Sequence, residues 1–543
     1  MSSHQTFLWG RSQNKLRQEE FWLEFCCIVA LLLASLLLFG INLGSLPLRD
    51  WDEGTVAQVA KEIWQAPEGS WRWLFPTLWG EPYLNKPPLV HAAIALFYSI
   101  GGVNELTSRL PGAFLSAVSV VLLYGIGREI FVARIPALFS AIVYLTFLPV
   151  VRHGRLAMLD GPLLCFALLM FWAILRSRRD LRWTLVAGFG FGLIGLTKGI
   201  VGLLLGAIAL FFLSWDTPRL LTSIYLWVGI LLGSVPVIGW YGIQWLHYRQ
   251  AFISTGIVNQ SLARIWSVVE EHEGPPWYYL LELLKYAWPW LVFAFSGLQL
   301  AWSNRRWGWA KLILVWSGIY FVVVSLMATK LPWYILPLYP ALALAIGAQL
   351  DNIRNLPSNI TYPRSWTAIL GLLAILTTIA GLYFSLQAER NLSLLLIFAS
   401  FALTLGVGTI LIARQDRQFI PLLFWGTYVS LLLLVSSPYW LWELNEAYPV
   451  KPIAALIEKN VPVAQPVYTS FAYTRPSLNF YSEHQVIPAT VEQLKQYWQK
   501  SSSAYILIDR STVEKLDLEF ARMIGVTQTE PLGWFLVTKA KDQ

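Results

Sequence analysis

The chain has 543 residues, 56% of them hydrophobic and 13% charged, and a mean hydropathy of +0.53, which excludes an ordinary soluble domain and a disordered chain alike. The formal net charge of +8 would suggest nucleic acid in a soluble protein. Here the placement of basic residues matters more than their sum, because Lys and Arg mark the cytoplasmic side of a membrane protein. A polytopic α-helical protein in contact with membrane lipids is expected, with no nucleic-acid partner.

A helix needs ~20 residues to cross ~30 Å of hydrocarbon, and by that measure the apolar runs number about thirteen. Basic clusters at Arg11/Lys15/Arg17, Arg128/Arg134, Arg176/Arg178/Arg179/Arg182, Arg219, Arg305/Arg306/Lys311, Arg354/Arg364 and Arg414/Arg417 recur at every second connection. One topology satisfies them all. The amino terminus is inside, and the loops near 44–108, 153–160, 244–277, 328–331 and 387–391 are outside, as is everything after Trp442.

The first apolar run, Phe21 to Leu43, is too long and too late for a cleavable signal and is expected to remain as an anchor. Asp50, Asp52 and Glu53 follow it directly, ahead of an amphipathic stretch from Gly54 to Trp64. Carboxylates at a membrane edge are functional candidates by default. The plainer alternative is a solvated helix start, with Asp52 or Thr55 as N-cap and Glu53 favouring the dipole.

Trp71, Trp73, Trp79 and Tyr83 come next on the outside. An interfacial aromatic belt explains them better than a sugar platform does. Lys86 stands between Asn85 and two prolines, and the short run from Pro87 to Gly101 reads as a helix lying at the outer interface. Asp160 opens a later span and is preceded by Arg152 and Arg155, so a cap paired with arginine and a site residue are both open.

His153 and the run Glu270-Glu271-His272-Glu273 raise the question of metal, but their spacing matches no strong zinc signature. Cys26, Cys27 and Cys165 fall in spans and are expected to be packing residues without a disulfide. Arg264 lies in the long fourth outside loop and Lys330 in the short loop before Tyr334.

Residues 1–442 are thus expected to form the membrane domain, including the outside loop 44–108, and 443–543 a small soluble α/β domain outside. In the tail, Val467–Thr469 and Ala504–Ile508 have the β-branched and aromatic content of strands. The stretches 452–460 and 490–499 have helical spacing.

Asp52 and Glu53, Lys86, Asp160, Arg264 and Lys330 all fall on the outside face in this topology. Lys86, Arg264 and Lys330 are the cations expected to stabilise a lipid phosphate while apolar helices hold its chain, and an aspartate nearby can take a proton from an attacking hydroxyl. Snorkelling to the interface is the alternative for each cation, most of all for Arg264.

The ordered set WDEGTVAQVAKEIW, YLNKPPL, RLPGAF, RLAMLDGPL, PPWYYLLELL and KLPWYILPLYPALALAIG resembles the lipid-phosphate-dependent glycosyltransferases of the GT-C class. It is most similar to the aminoarabinose transferases of lipid A and the dolichyl-phosphate-mannose protein mannosyltransferase group. The resemblance implies a GT-C fold, a polyprenyl-phosphate sugar donor, inversion at the anomeric carbon, and a lipid, glycan or protein acceptor at the outer face of the cell membrane.

It also implies roles. Asp52 is the essential loop aspartate with Glu53 beside it, and Asp160 the second acid. Lys86 and Arg264 hold the donor phosphate, with Tyr83 and Tyr334 nearby. The aminoarabinose transferases have a metal-associated glutamate where this chain has Asn85, and the histidine that accompanies it is not evident near Arg264, a departure that argues against a structural metal at that spot and leaves the need for a divalent metal elsewhere open. A flippase for a lipid-linked sugar is the alternative function. It would need polar groups or broken helices near the bilayer midplane, whereas the residues singled out lie at one edge. An assembly subunit with a sensory outer domain would leave Asp52 and Lys86 unconnected.

Overall fold

The computed structural model describes residues 3–357, 361–386, 391–441, 450–462, 465–501, 504–516, 521–527 and 533–539. The expected boundary at Trp442 and most of the loop 387–391 lie outside these residues. By internal packing the chain divides into two units. The first comprises Met1–Asn42, Leu84–Leu89 and Gly112–Trp440, and the second Leu43–Tyr83, Val90–Pro111 and Leu441–Gln543.

The first unit is helical. Among the described residues nine helices are long and apolar enough to cross a membrane, or ten if the pair α5 (Arg134–Leu145) and α6 (Leu148–Arg155), bent by 60°, is one span. They begin with α1 (Ser3–Gly40), apolar from Glu19, include α4 (Glu105–Ile130), and end with Phe419–Ser436. Helix α7 (Asp160–Arg176) has 17 residues and Leu291–Ser303 has 13, both short of that length. Arg155 closes the carboxyl end of α1, where backbone carbonyls have no helical partner. Its guanidinium donates to the carbonyls of Leu38 at 2.8 Å, Phe39 at 3.1 Å and Ile41 at 2.7 Å.

The 34-residue helix α8 (Trp183–Asp216) doubles back on itself. Its backbone leaves helical geometry at Lys198 (φ −143°, ψ 77°). A Cβ at Gly202 would lie 3.3 Å from Ile194, and one at Gly206 2.8 Å from Phe191, so the two arms run antiparallel. Asp216 at the far end is accordingly bonded to Arg178, just before the helix begins. The close approach of α8 to α9 (Ile224–Tyr248) depends on facing glycines, since a Cβ at Gly188 or Gly192 would strike the backbone of Gly229 or Gly233. This small-residue packing suits helices in lipid, where backbone proximity replaces the hydrophobic drive.

The second unit contains α2 (Asp52–Gln65), α3 (Leu89–Gly101) apart from its first residue, and a small α/β fold. Helix α3 spans only about 20 Å at 1.5 Å per residue, too little to cross the hydrocarbon. It buries Val90, His91, Ile94, Ala95 and Tyr98 and exposes Leu96 and Ile100. A two-stranded hairpin, β1 (Thr77–Leu78) and β2 (Glu81–Pro82), precedes it.

In the tail, β3 (Val467–Thr469), β4 (Val486–Pro488), β5 (Tyr505–Asp509), β6 (Ala521–Thr527) and β7 (Trp534–Lys539) form one sheet in the order β4-β3-β5-β7-β6. Strand β3 is parallel to β4 and β5, and β7 is antiparallel to β5 and β6. Alternation along β5 sends Leu507 to one face, among Val450, Ile453, Ile457 and Leu478. Ile506 and Ile508 go to the other, among Leu494, Trp498 and Leu516. The expected strands are found, and the expected helices appear as Val450–Asn460 and Val491–Lys500. The latter opens with a reciprocal cap in which the Gln493 N–H donates to Thr490 Oγ1 and the Thr490 N–H donates to Gln493 Oε1.

Candidate active site

In the second unit the structure sorts three carboxylates that look alike in sequence. Asp50 is buried. Its Oδ2 accepts from Arg475 Nε and Nη2 at 2.7 Å each, and its Oδ1 accepts from the Ser477 backbone N–H at 3.1 Å and from the Ser477 hydroxyl.

Glu53 is fully buried. It accepts from Arg109 Nε at 2.7 Å and Nη2 at 2.8 Å, and from the Arg49 N–H at 2.9 Å. The remaining donor capacity of Arg109 goes to the carbonyls of Leu43, Leu46 and Pro47. Glu53 is therefore committed to holding the loop.

Asp52 is the acid most open to water, with a side chain 24% exposed, and Arg49 approaches it at 3.8 Å. It is the first residue of α2. Neither Asp52 nor Thr55 is the N-cap, as the sequence had allowed, because the preceding position is Trp51 with a left-handed φ of 62°. Such backbone costs about 1–3 kcal/mol and persists only where its surroundings hold it. Tyr83 is buried with its ring edge-on to His91 at 5.4 Å. Burial first, and then the charge of Asp52, push its hydroxyl above the usual tyrosine range.

In the first unit, Lys86 is half-buried between Asn85 and the buried pair Pro87 and Pro88. The backbone carrying it lies against Gly256, where a Cβ would come within 2.7 Å of the Leu84 carbonyl oxygen. Gly256 sits in a π-helical stretch, Ile253–Leu262, that leads into Arg264, and such stretches are frequent at functional sites. Desolvation, followed by the like charges of Lys198 and Arg264, lowers the Lys86 ammonium to about 7. The charges of Asp160 and Glu270 act in the opposite sense.

The buried Asp160 pairs with the half-buried Lys198, whose ammonium is 2.8 Å from both carboxylate oxygens. Arg264 Nη2 donates to Gln260 Oε1 at 3.2 Å and Glu270 Oε2 at 3.1 Å, and Nη1 donates to the Tyr334 hydroxyl at 3.3 Å. Lys86, Asp160, Arg264 and Tyr334 are thus brought into one electrostatic network.

Lys330 has a different task. Its buried ammonium donates to the carbonyls of Val324 at 3.1 Å and Ser325 at 2.7 Å, near the carboxyl end of Gly308–Leu326. Its backbone N–H donates to the His272 carbonyl and that of Thr329 to the Arg264 carbonyl. The segment therefore fastens the Arg264 loop.

Sequence reasoning passed over Lys198 and Arg475. Lys198 had a signal, since a 34-residue apolar stretch is too long for one crossing and Thr197-Lys198-Gly199 interrupts it. Arg475 had none.

A divalent ion is not matched by the residues near Lys86. The position before it offers an amide, Asn85, and among the described residues no group of three or more His, Cys, Asp or Glu side chains is placed to hold a metal. Glu270 is taken by Arg264, and His153 Nδ1 lies 3.0 Å from the Pro149 carbonyl.

Residues 85–241 match the family described as dolichyl-phosphate-mannose-protein mannosyltransferase. The chain is 28% identical over 351 residues to the undecaprenyl phosphate-alpha-4-amino-4-deoxy-L-arabinose arabinosyl transferase 1 of Pseudomonas fluorescens, covering 62% of this chain and 61% of that one. It is 28% identical over 423 residues to the transferase 2 of the same species, covering 74% of each. Among solved structures, ArnT from Cupriavidus metallidurans bound to undecaprenyl phosphate superposes with a TM-score of 0.75 at 19% identity, covering 94% of this chain and 97% of that one.

Fold and comparisons together place this polytopic helical chain beside the glycosyltransferases of the GT-C class, whose fold it shares. Within that class the chain resembles the aminoarabinose transferases and the protein mannosyltransferase group.

Proposed function

We propose that the protein transfers a sugar from a polyprenyl-phosphate donor to an acceptor hydroxyl at the outer face of the cell membrane, with inversion. The observation that carries this reading is the gathering of Lys86, Lys198 and Arg264 in one electrostatic network with Asp160 and Glu270. As the sugar leaves, negative charge builds on the lipid phosphate, so cations at that oxygen stabilise the transition state more than the ground state. Lys86 and Arg264 contact the phosphate, and Tyr83 and Tyr334 line its site. Asp160 and Lys198 orient the donor, and Asp52 takes the proton of the attacking hydroxyl. Losing one cation contact costs about 2–4 kcal/mol of barrier, or roughly a hundredfold or more in rate.

Residues 1–442 form the transferase domain and 443–543 the extracytoplasmic domain, with the amino terminus in the cytoplasm. The break in α8 fits an enzyme better than a flippase. Lys198 pairs with Asp160 at the start of α7, and both arms of α8 return to the Arg178 end, an arrangement that supports a charged turn at one edge of the hydrocarbon, whereas a flippase calls for polar groups at the midplane.

The test is sugar release from a panel of labelled polyprenyl-phosphate pentoses and hexoses by the purified protein in lipid nanodiscs, with a crude envelope acceptor. Release that vanishes in Asp52→Asn and Lys86→Ala supports the reading and identifies the sugar. Headgroup binding without release from any donor would overturn it.

A further inference from the structure

The loop that presents Asp52 is held from the far end of the chain. Residues 48–54 carry one strained residue, Trp51, and are pinned on both sides of Asp52. On one side Glu53 and Arg109 are fully buried together. On the other, Asp50 is gripped by Arg475 and Ser477, 425 and 427 residues further on. The contact is tight enough to exclude a side chain at position 54, where a Cβ would lie 2.6 Å from the Ser477 nitrogen and 2.8 Å from the Pro476 carbonyl carbon. The helix that follows, Pro476–Ser482, adds further ties. The Leu48 N–H donates to the Tyr481 hydroxyl at 2.8 Å, that hydroxyl donates to Glu105 at 2.9 Å, and Phe480 packs on Leu48 and Ala57.

A buried ion pair is weak evidence for stability, because replacing both partners by apolar groups is often neutral, so the Asp50–Arg475 pair calls for another reason. We propose that Arg475 is a positioning residue for the transfer reaction. Through Asp50 it holds the Trp51 backbone in its strained conformation and aims the Asp52 carboxylate at the acceptor hydroxyl, so the C-terminal segment is part of the catalytic apparatus. The inference rests on Asp52 as the proton acceptor. It gives Arg475 no contact with either substrate.

The test compares Arg475→Met, Arg475→Lys and the double variant Asp50→Leu/Arg475→Met with Asp52→Asn in the nanodisc transfer assay. It measures kcat, donor KM and thermal midpoint. Arg475→Met lowers kcat by about a hundredfold, the scale of a ~1 Å misplacement, and leaves donor KM unchanged. Arg475→Lys recovers part of kcat, since one donor to Asp50 remains. The double variant recovers the thermal midpoint, because replacing both partners of a buried pair by apolar groups is often neutral, but it does not recover kcat. Recovery of kcat together with the thermal midpoint in the double variant would reduce Arg475 to a structural role and overturn the proposal. Full turnover in Asp52→Asn would instead overturn the role of Asp52 itself.

Discussion

The proposed contact of Lys86 with the donor phosphate predicts that donor binding is a proton-linked event. Its ammonium is held down to about 7 by desolvation and by the charges of Lys198 and Arg264, against about 10.4 for an ordinary lysine. The donor's phosphodiester is an anion throughout the neutral range, and its arrival favours the charged lysine. Below about pH 7 the free site is already protonated and binding is insensitive to pH. Above it, the complex must take up a proton that the free site lacks. Affinity then falls by at most about tenfold per pH unit, so by up to a hundredfold between about pH 7 and 9. The assay is direct binding of a non-transferable phosphonate analogue of the donor to protein in nanodiscs, at constant ionic strength. Lys86→Arg serves as a control because arginine stays charged throughout this range. Its profile should be flat. A flat wild-type profile, or a slope of equal size in Lys86→Arg, would refute the assignment of Lys86 to the phosphate.

The same shift acts on the free protein with the opposite sign. The unfolded chain binds a proton at Lys86 that the folded chain gives up between about pH 7 and 10.4, so Lys86→Met should raise the thermal midpoint of the ligand-free protein most at low pH. Glu53→Ala should cost about 3–5 kcal/mol by leaving Arg109 buried and unpaired, whereas Asp52→Asn should abolish turnover with little change in thermal midpoint. Paired denaturation and transfer measurements separate the two, and equal destabilisation would contradict the sorting of the acids. Lys330→Met should increase protease cleavage in the 267–274 loop while changing donor affinity far less than Lys86→Met does. Gly256→Ala should lower turnover without loss of expression, because the added methyl meets the Leu84 carbonyl beside the segment that carries Lys86.

Much of this molecule follows from local rules. The apolar runs and the alternation of basic clusters identify a polytopic helical protein, because the cost of unpaired backbone in hydrocarbon leaves a helix few alternatives. The strands at Val467 and Tyr505 and the capped helix at Val491 were legible because side-chain type and short spacing decide them. The importance of Lys86, Asp160 and Arg264 could be argued from charge at a membrane edge and from likeness to a family. The helical hairpin in α8 was only half legible, since its length pointed to a turn but not to the residue that makes it or to what that residue meets.

The tertiary structure decided what each charged group does. Asp50, Asp52 and Glu53 lie within four residues and share one chemistry, yet Arg475 buries the first, Arg109 buries the third, and the second keeps a partly exposed side chain. Lys86 and Lys330 are both loop lysines before apolar segments, but one joins an electrostatic network and the other caps a helix. These outcomes depend on burial and on partners tens to hundreds of residues away. Composition and periodicity determine which segments must leave water; only packing determines which charges leave with them and what each one meets there.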